Sequence, residues 1–173
     1  MNLLQINTSP RASDSMSTKF ASQIVETIKA QHDHVELDVL DLGKTAHSIL
    51  DEMAIGAHFT PSDARTEAQN ARVAVDDALI VQAQWADTIV IGVPMYNFGI
   101  PVQLKSWLDA IARAGVTYRD TPNDVQVPYL NMILGFLGMT DLNYVYAEGF
   151  AMGPEAAAKA ISDAESQIQA LFA

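Results

Sequence analysis

The chain has 173 residues, 49% hydrophobic and 18% charged, with a formal net charge of -11 and no cysteine. That length and composition suit one folded domain, read here as residues 1–173, with a substantial core. The acidic balance excludes the basic face that nucleic acid requires and disfavours an anionic membrane surface, while the missing cysteines exclude disulfides and thiolate chemistry. No apolar run reaches the roughly 20 residues of a membrane-spanning helix. The segment Met1–Ile6 has no basic start or long apolar run, so a cytoplasmic location is expected. His32, His34, His47 and His58 lack helical metal-ligand spacing, so they are expected at the surface, with no metal site.

Leu3, Leu4 and Ile6 predict a short buried strand, closed by Asn7, Thr8, Ser9, Pro10 and Arg11. A helix should begin near Ser15 or Ser17, both good caps, with Phe20, Ile24 and Ile28 on its apolar face. Val35, Leu37 and Val39 suggest a second strand. The connection from Gly43 to Ser62 is long for a plain linker and suits a site wall. A second helical pattern follows at Ala71, Val75, Ala78, Leu79, Gln82 and Trp85. The run Thr88–Val93 reads as a buried parallel strand that must end at Pro94, which cannot donate to a ladder.

Pro101 is suited to the first turn of the next helix, whose apolar face is Leu104, Trp107, Leu108 and Ile111, and Gly115 should stop it. The loop Met95–Gly99, with two aromatics, an amide and a glycine at a strand's carboxyl end, fits either a ligand site or a cover for the core. Leu130, Ile133, Leu134 and Leu137 predict a further helix, Leu142–Ala147 a last strand, and Ala157 to Leu171 a last helix. The alternation of strand and helix predicts an α/β fold, a doubly wound parallel sheet of the flavodoxin-like kind. The alternation fails once. Between Val116 and Val127 there is no apolar strand, so the fourth strand is absent where the pattern demands one.

The loop from Ser9 to Ser17 combines hydroxyls, backbone N–H groups at a helix start and Arg11, the donor set that a phosphate monoester needs. The competing reading is a serine-rich helix entry with a solvated arginine. Gly43, Lys44 and Thr45 echo a P-loop, but Asp38 stands where its first glycine belongs. No G-x-G-x-x-G follows the first strand, which argues against a dinucleotide Rossmann site.

Pro94–Phe98 together with Gln103, Leu104, Lys105 and Asp109 resembles the flavin-loop signature of the flavodoxin-like superfamily. Ala112–Arg119, Pro128–Leu130 leading into Leu134–Gly138, and Ala147–Gly149 followed by Gly153–Glu155 are similar to the azoreductase branch. On those motifs the chain resembles, over nearly its whole length, the FMN-dependent NADH:quinone oxidoreductases and azoreductases.

The resemblance implies FMN as cofactor and NAD(P)H as co-substrate, with quinones and aromatic azo compounds reduced in a second half-reaction. Ser9, Ser15, Met16 and Ser17 would hold the FMN phosphate, with Arg11 beside them. Pro94, Met95, Tyr96, Asn97 and Phe98 would line the flavin ring and ribityl chain. No side chain need act as a catalyst, since the flavin carries the redox chemistry. Members of the family are homodimers with the site at the interface, so Tyr118 and Phe136 are candidates for its apolar wall and Phe59 for a lid. Against the family pattern, about thirty residues, a strand with two loops, are missing near Thr121–Asp124. The stretch is either unread or truly deleted. A flavodoxin-like electron carrier and a non-catalytic member lacking that strand are the alternative functions.

Overall fold

The computed structural model describes residues 1–11, 14–96, 99–113, 116–117, 126–147 and 153–173. Two compact units are present, Met1–Gly138 and Met139–Ala173. The first contains strands β1 (Asn2–Asn7), β2 (Glu36–Asp41) and β3 (Thr88–Gly92), and helices α1 (Met16–Gln31), α2 (Glu52–Phe59), α3 (Glu67–Trp85), α4 (Val102–Ile111) and α5 (Gln126–Phe136). The second contains α6 (Pro154–Leu171).

Among the described residues the sheet has the order β2-β1-β3, and every pairing is parallel. Strand β1 is central, which explains why its sequence is apolar on both faces: Leu3, Leu4 and Ile6 are fully buried. Its register sets Asn7 beside Asp41 on one side and Gly92 on the other. The carboxyl ends of all three strands therefore finish at one level. The chain moves outward from β1 to β2, then back across β1 to β3. Right-handed crossovers in opposite directions put α1 and α3 on opposite faces of the sheet. Gln5, whose amide donates to Ser22 Oγ of α1 at 3.0 Å, marks the α1 face. Leu4 and Ile6 point the other way, and α3 packs against β1 and α4.

The helix boundaries follow local chemistry. Ser15 caps α1, its Oγ accepting from Thr18 N at 3.2 Å. Thr66 and Gln69 form a reciprocal capping box at the start of α3. Pro101 stands at the N-cap position of α4, just before the first turn expected for it, and makes no side-chain cap bond; the expected face of Leu104, Trp107, Leu108 and Ile111 is buried.

Other expectations are corrected. The 43–62 connection contains α2, which buries the small residues Ala54 and Ala57 and exposes Met53, Ile55 and Phe59. Helix α3 buries Val73, Asp76 and Ile80, while Val75 is exposed, so its inner face is rotated from the predicted one. His47 and His58 are bonded to a buried carboxylate and are not free surface groups. Residues 142–147 form no strand. A strand needs a neighbour for its ladder, and no fourth strand exists among the described residues to provide one. In the second unit the Tyr146 backbone instead pairs with the Gln167 side chain of α6, at 2.9 and 3.0 Å. There α6 buries Ala160, Ala164 and Ile168. The expected stop at Gly115 and the gap at Thr121–Asp124 lie outside the described residues. No helix among the described residues is long and apolar enough to cross a membrane.

Candidate active site

Because β1 and β3 are adjacent, the loops leaving their carboxyl ends are neighbours. The two loops singled out by the sequence meet there: Ser9 Oγ lies 3.4 Å from the Tyr96 hydroxyl. Beneath them Thr8, fully buried, donates from Oγ1 to the Gly92 carbonyl at 2.8 Å. This bond joins the residue after β1 to the last residue of β3. It fixes the spacing of the two loops from below.

The first loop folds inward. Ser9 and Ser15 are buried, and Ser9 Oγ accepts from the Arg11 backbone N–H at 3.2 Å. Ser15 Oγ stands 3.0 Å from Ser17 Oγ while it also caps Thr18. The helix supplies Met16 and Ser17 N–H with no internal acceptor, because they belong to its first turn. These N–H groups, the serine hydroxyls and the positive end of the α1 dipole form a donor set for an anion. Met16 and Ser17 are half-buried, and Arg11 is exposed at the rim.

Two glycines that sequence reasoning did not assign to the site complete this arrangement. A β-carbon on Gly43 would fall 2.0 Å from the Ser9 carbonyl oxygen, and one on Gly92 would fall 2.8 Å from the Ser17 carbonyl oxygen. The chain after β2 and the end of β3 thus close directly onto the serine loop from two sides. The missing side chains are what leave room for that approach. The signal in the sequence was a glycine at or just beyond a strand's end; which backbone it meets depends on the tertiary fold. Thr8 was also missed, although a hydroxyl directly after a buried strand was the available cue.

In the second loop Pro94 and Tyr96 are half-buried and Met95 is exposed. Tyr96 and Gly99 exchange both backbone hydrogen bonds, at 3.0 and 2.9 Å, pinning the loop at its two flanks. Asn97 and Phe98 lie outside the described residues, as does Tyr118. Phe136 ends α5 and is half-buried, whereas Phe59 ends α2 and is 81% exposed. The structure therefore brings together Ser9, Arg11, Ser15, Met16, Ser17 and Tyr96.

A family model described as "Flavodoxin-like fold" matches residues 1–127. An FMN-dependent NADH:quinone oxidoreductase of Dechloromonas aromatica is 50% identical, with all of both chains covered. The chain belongs to the FMN-dependent NADH:quinone oxidoreductase family. A relative of the same description from Aromatoleum aromaticum is also 50% identical over the whole of both chains. Among solved structures, an azoreductase from Bacillus anthracis superposes with a TM-score of 0.84 at 25% identity, covering 98% of each chain. As a member of this family the protein is an oxidoreductase of flavodoxin-like fold. One difference is internal. The alignment with the first relative spans 199 positions against 173 residues here, so at least 26 positions are filled by the relative alone.

Proposed function

We propose that this chain, read as one FMN-binding domain over residues 1–173, is an NAD(P)H-dependent reductase of quinones and aromatic azo compounds. The relatives' description supports FMN as its cofactor and NADH as electron donor. FMN, when bound, supplies the redox chemistry between the nicotinamide and the substrate. The residues present suit its phosphate. Ser9, Ser15 and Ser17 offer hydroxyls, Met16 and Ser17 offer helix-terminal N–H groups, and Arg11 adds charge at the rim. Gly43 and Gly92 keep the loop closed around that position. Pro94, Met95, Tyr96, Asn97 and Phe98 would orient the ring and ribityl chain from the adjoining loop. No side chain is assigned a proton-transfer role. Homodimerisation would complete the site with apolar walls from Tyr118 and Phe136 and a lid from Phe59, and the setting would be cytoplasmic.

The observation that carries this reading is the meeting of Ser9 and Tyr96 above the paired ends of β1 and β3. It supports reading the two loops together, the first as a phosphate cradle and the second as a ring-lining loop. The direct test is to titrate the purified chain with FMN and follow NADH oxidation with a quinone acceptor. Saturable flavin binding and acceptor-dependent turnover are expected; failure of both would end the proposal.

A second reading is a member that keeps the fold but not the turnover. Its support is the 26-position shortfall together with a sheet of three described strands. Among the described residues Trp107 Nε1 and the Nε and Nη2 of Arg113 are also buried without a hydrogen-bond partner, which is consistent with a missing acceptor segment. Grafting the relative's additional segment into the chain separates the two readings. Equal flavin affinity together with equal quinone turnover, with and without the graft, would defeat the second.

A further inference from the structure

Asp76 sits on the inner face of α3 and is fully buried. An ionised carboxylate persists there only when donors replace its water. Three side chains do so. His47 Nε2 lies 2.7 Å from Oδ1, His58 Nε2 lies 2.8 Å from Oδ2, and Arg72, one turn earlier on α3, bonds to Oδ1. Each imidazole meets the carboxylate through Nε2, and in the Nε2–H tautomer it donates to it. The His47 and His58 side chains are 6% and 15% exposed, which leaves little access for competing water. Arg72 also stands 3.2 Å from His47 Nε2. Among the described residues no cluster of histidines and carboxylates is arranged to hold a metal ion. The guanidinium already supplies the cation.

The connectivity shows what this cluster holds. After Leu42, whose N–H bonds to the Asn7 carbonyl, the chain leaves the sheet beside Ser9 and returns at Thr66 to begin α3. His47 belongs to the outgoing limb and His58 to α2 on the returning limb. One carboxylate therefore fastens both limbs, one oxygen to each. Apolar burial cannot do this work: α2 buries two alanines, while Ile49, Met53, Ile55 and Phe59 are exposed. Arg65 adds a local tie by donating from Nε to the carbonyls of Ala57 and Thr60, both at 2.9 Å.

We propose that Asp76 is a positioning residue, a clamp that holds the residue 43–65 excursion and its exposed apolar side chains in place as a wall of the substrate site. The clamp follows from the contacts, and its effect on substrate rests on the flavoenzyme reading above. Hydrogen exchange on the flavin-free protein tests the first part. In His58→Ala, amides of 52–60 should exchange about tenfold faster, with β1 and α4 changed by no more than about twofold. His58→Gln, which keeps an N–H donor, should restore most of the protection. Asp76→Asn should keep part of it, since the amide oxygen still accepts and the His58 ring can change tautomer to receive the N–H.

Unchanged exchange in 52–60, or equal loosening of every segment, would overturn the clamp. In the flavin-loaded enzyme His58→Ala should raise the quinone KM about fivefold while kcat moves less than about twofold. Faster exchange with an unchanged KM would overturn the role as a substrate wall. If the unaltered chain neither binds flavin nor turns over, the functional reading fails, and the exchange experiment still decides the clamp.

Discussion

Gly43→Ala is the most direct probe of how the serine loop is built. The added methyl would lie 2.0 Å from the Ser9 carbonyl oxygen, 2.8 Å from the Ser9 carbonyl carbon and 3.2 Å from Asp41 Oδ1. Carbon and oxygen pack at roughly 3.5 Å, so the two backbones must separate by more than about 1 Å. Neither is a flexible side-chain end that could swing away. Overpacking of this kind costs about 1–3 kcal/mol, which lowers Tm by about 2–12 °C in a domain of this size. The same displacement moves Ser9 away from the other donors of the cradle. Losing one hydrogen bond to a charged phosphate removes about 1.5–3 kcal/mol, or about tenfold to a hundredfold in FMN Kd. Riboflavin has the same ring but no phosphate, so its affinity should change by less than about threefold. Thermal melting and flavin fluorescence titration of the purified variant measure both effects. A Tm within about 1 °C and an FMN Kd within about twofold of the parent would refute the close-packing argument. Equal weakening of FMN and riboflavin would place the damage away from the phosphate.

Three further outcomes are expected. Ser15→Asp keeps an N-cap acceptor for Thr18 but sets a carboxylate in the cradle, so Tm should hold within about 2 °C while FMN affinity falls at least about tenfold; unaltered FMN binding would remove Ser15 from the site. Thr8→Val preserves shape but leaves the Gly92 carbonyl without its buried donor, costing about 1–2 kcal/mol and about 2–8 °C in Tm, and a Tm equal to the parent's would deny that bond a role. Tyr129 has its pKa raised from 10.0 by burial, with Lys105 opposing and Asp109 reinforcing the shift. The folded state therefore holds the phenolic proton more tightly than the unfolded chain, and this contribution to stability is lost as pH rises above about 10 through the folded pKa. Melting curves between about pH 8 and about pH 11 should fall less steeply for Tyr129→Phe, and identical slopes would contradict the assignment.

Much of the scaffold can be read from local pattern alone. The run Leu3–Ile6 could only be a strand buried on both faces, and Leu104, Trp107, Leu108 and Ile111 marked the inner face of α4 correctly. Ser15 announced the start of α1 because an N-cap acts on amides within its own turn. The two loops of the candidate site were also visible, as unusual side chains following apolar runs. Helix α3 was legible as a helix but not in its facing. Val75 lies outside and Asp76 inside because the carboxylate is satisfied by His47 and His58, 29 and 18 residues away. No periodicity can express a donor so distant. For the same reason α2 was hidden: it turns its small residues inward against α3, opposite to the usual apolar pattern.

The sequence by itself determined the first three strands, helices α1, α3 and α4, the Ser15 cap, and the hydroxyl-rich and aromatic loops proposed to receive FMN. These depend on contacts within a few residues. Tertiary structure alone decided that Ser9 meets Tyr96, that Thr8 ties β1 to β3, and that Gly43 and Gly92 must lack side chains where they touch the serine loop. Those facts arise where chain segments far apart in order pass within van der Waals contact, a proximity set by the parallel register of β2, β1 and β3.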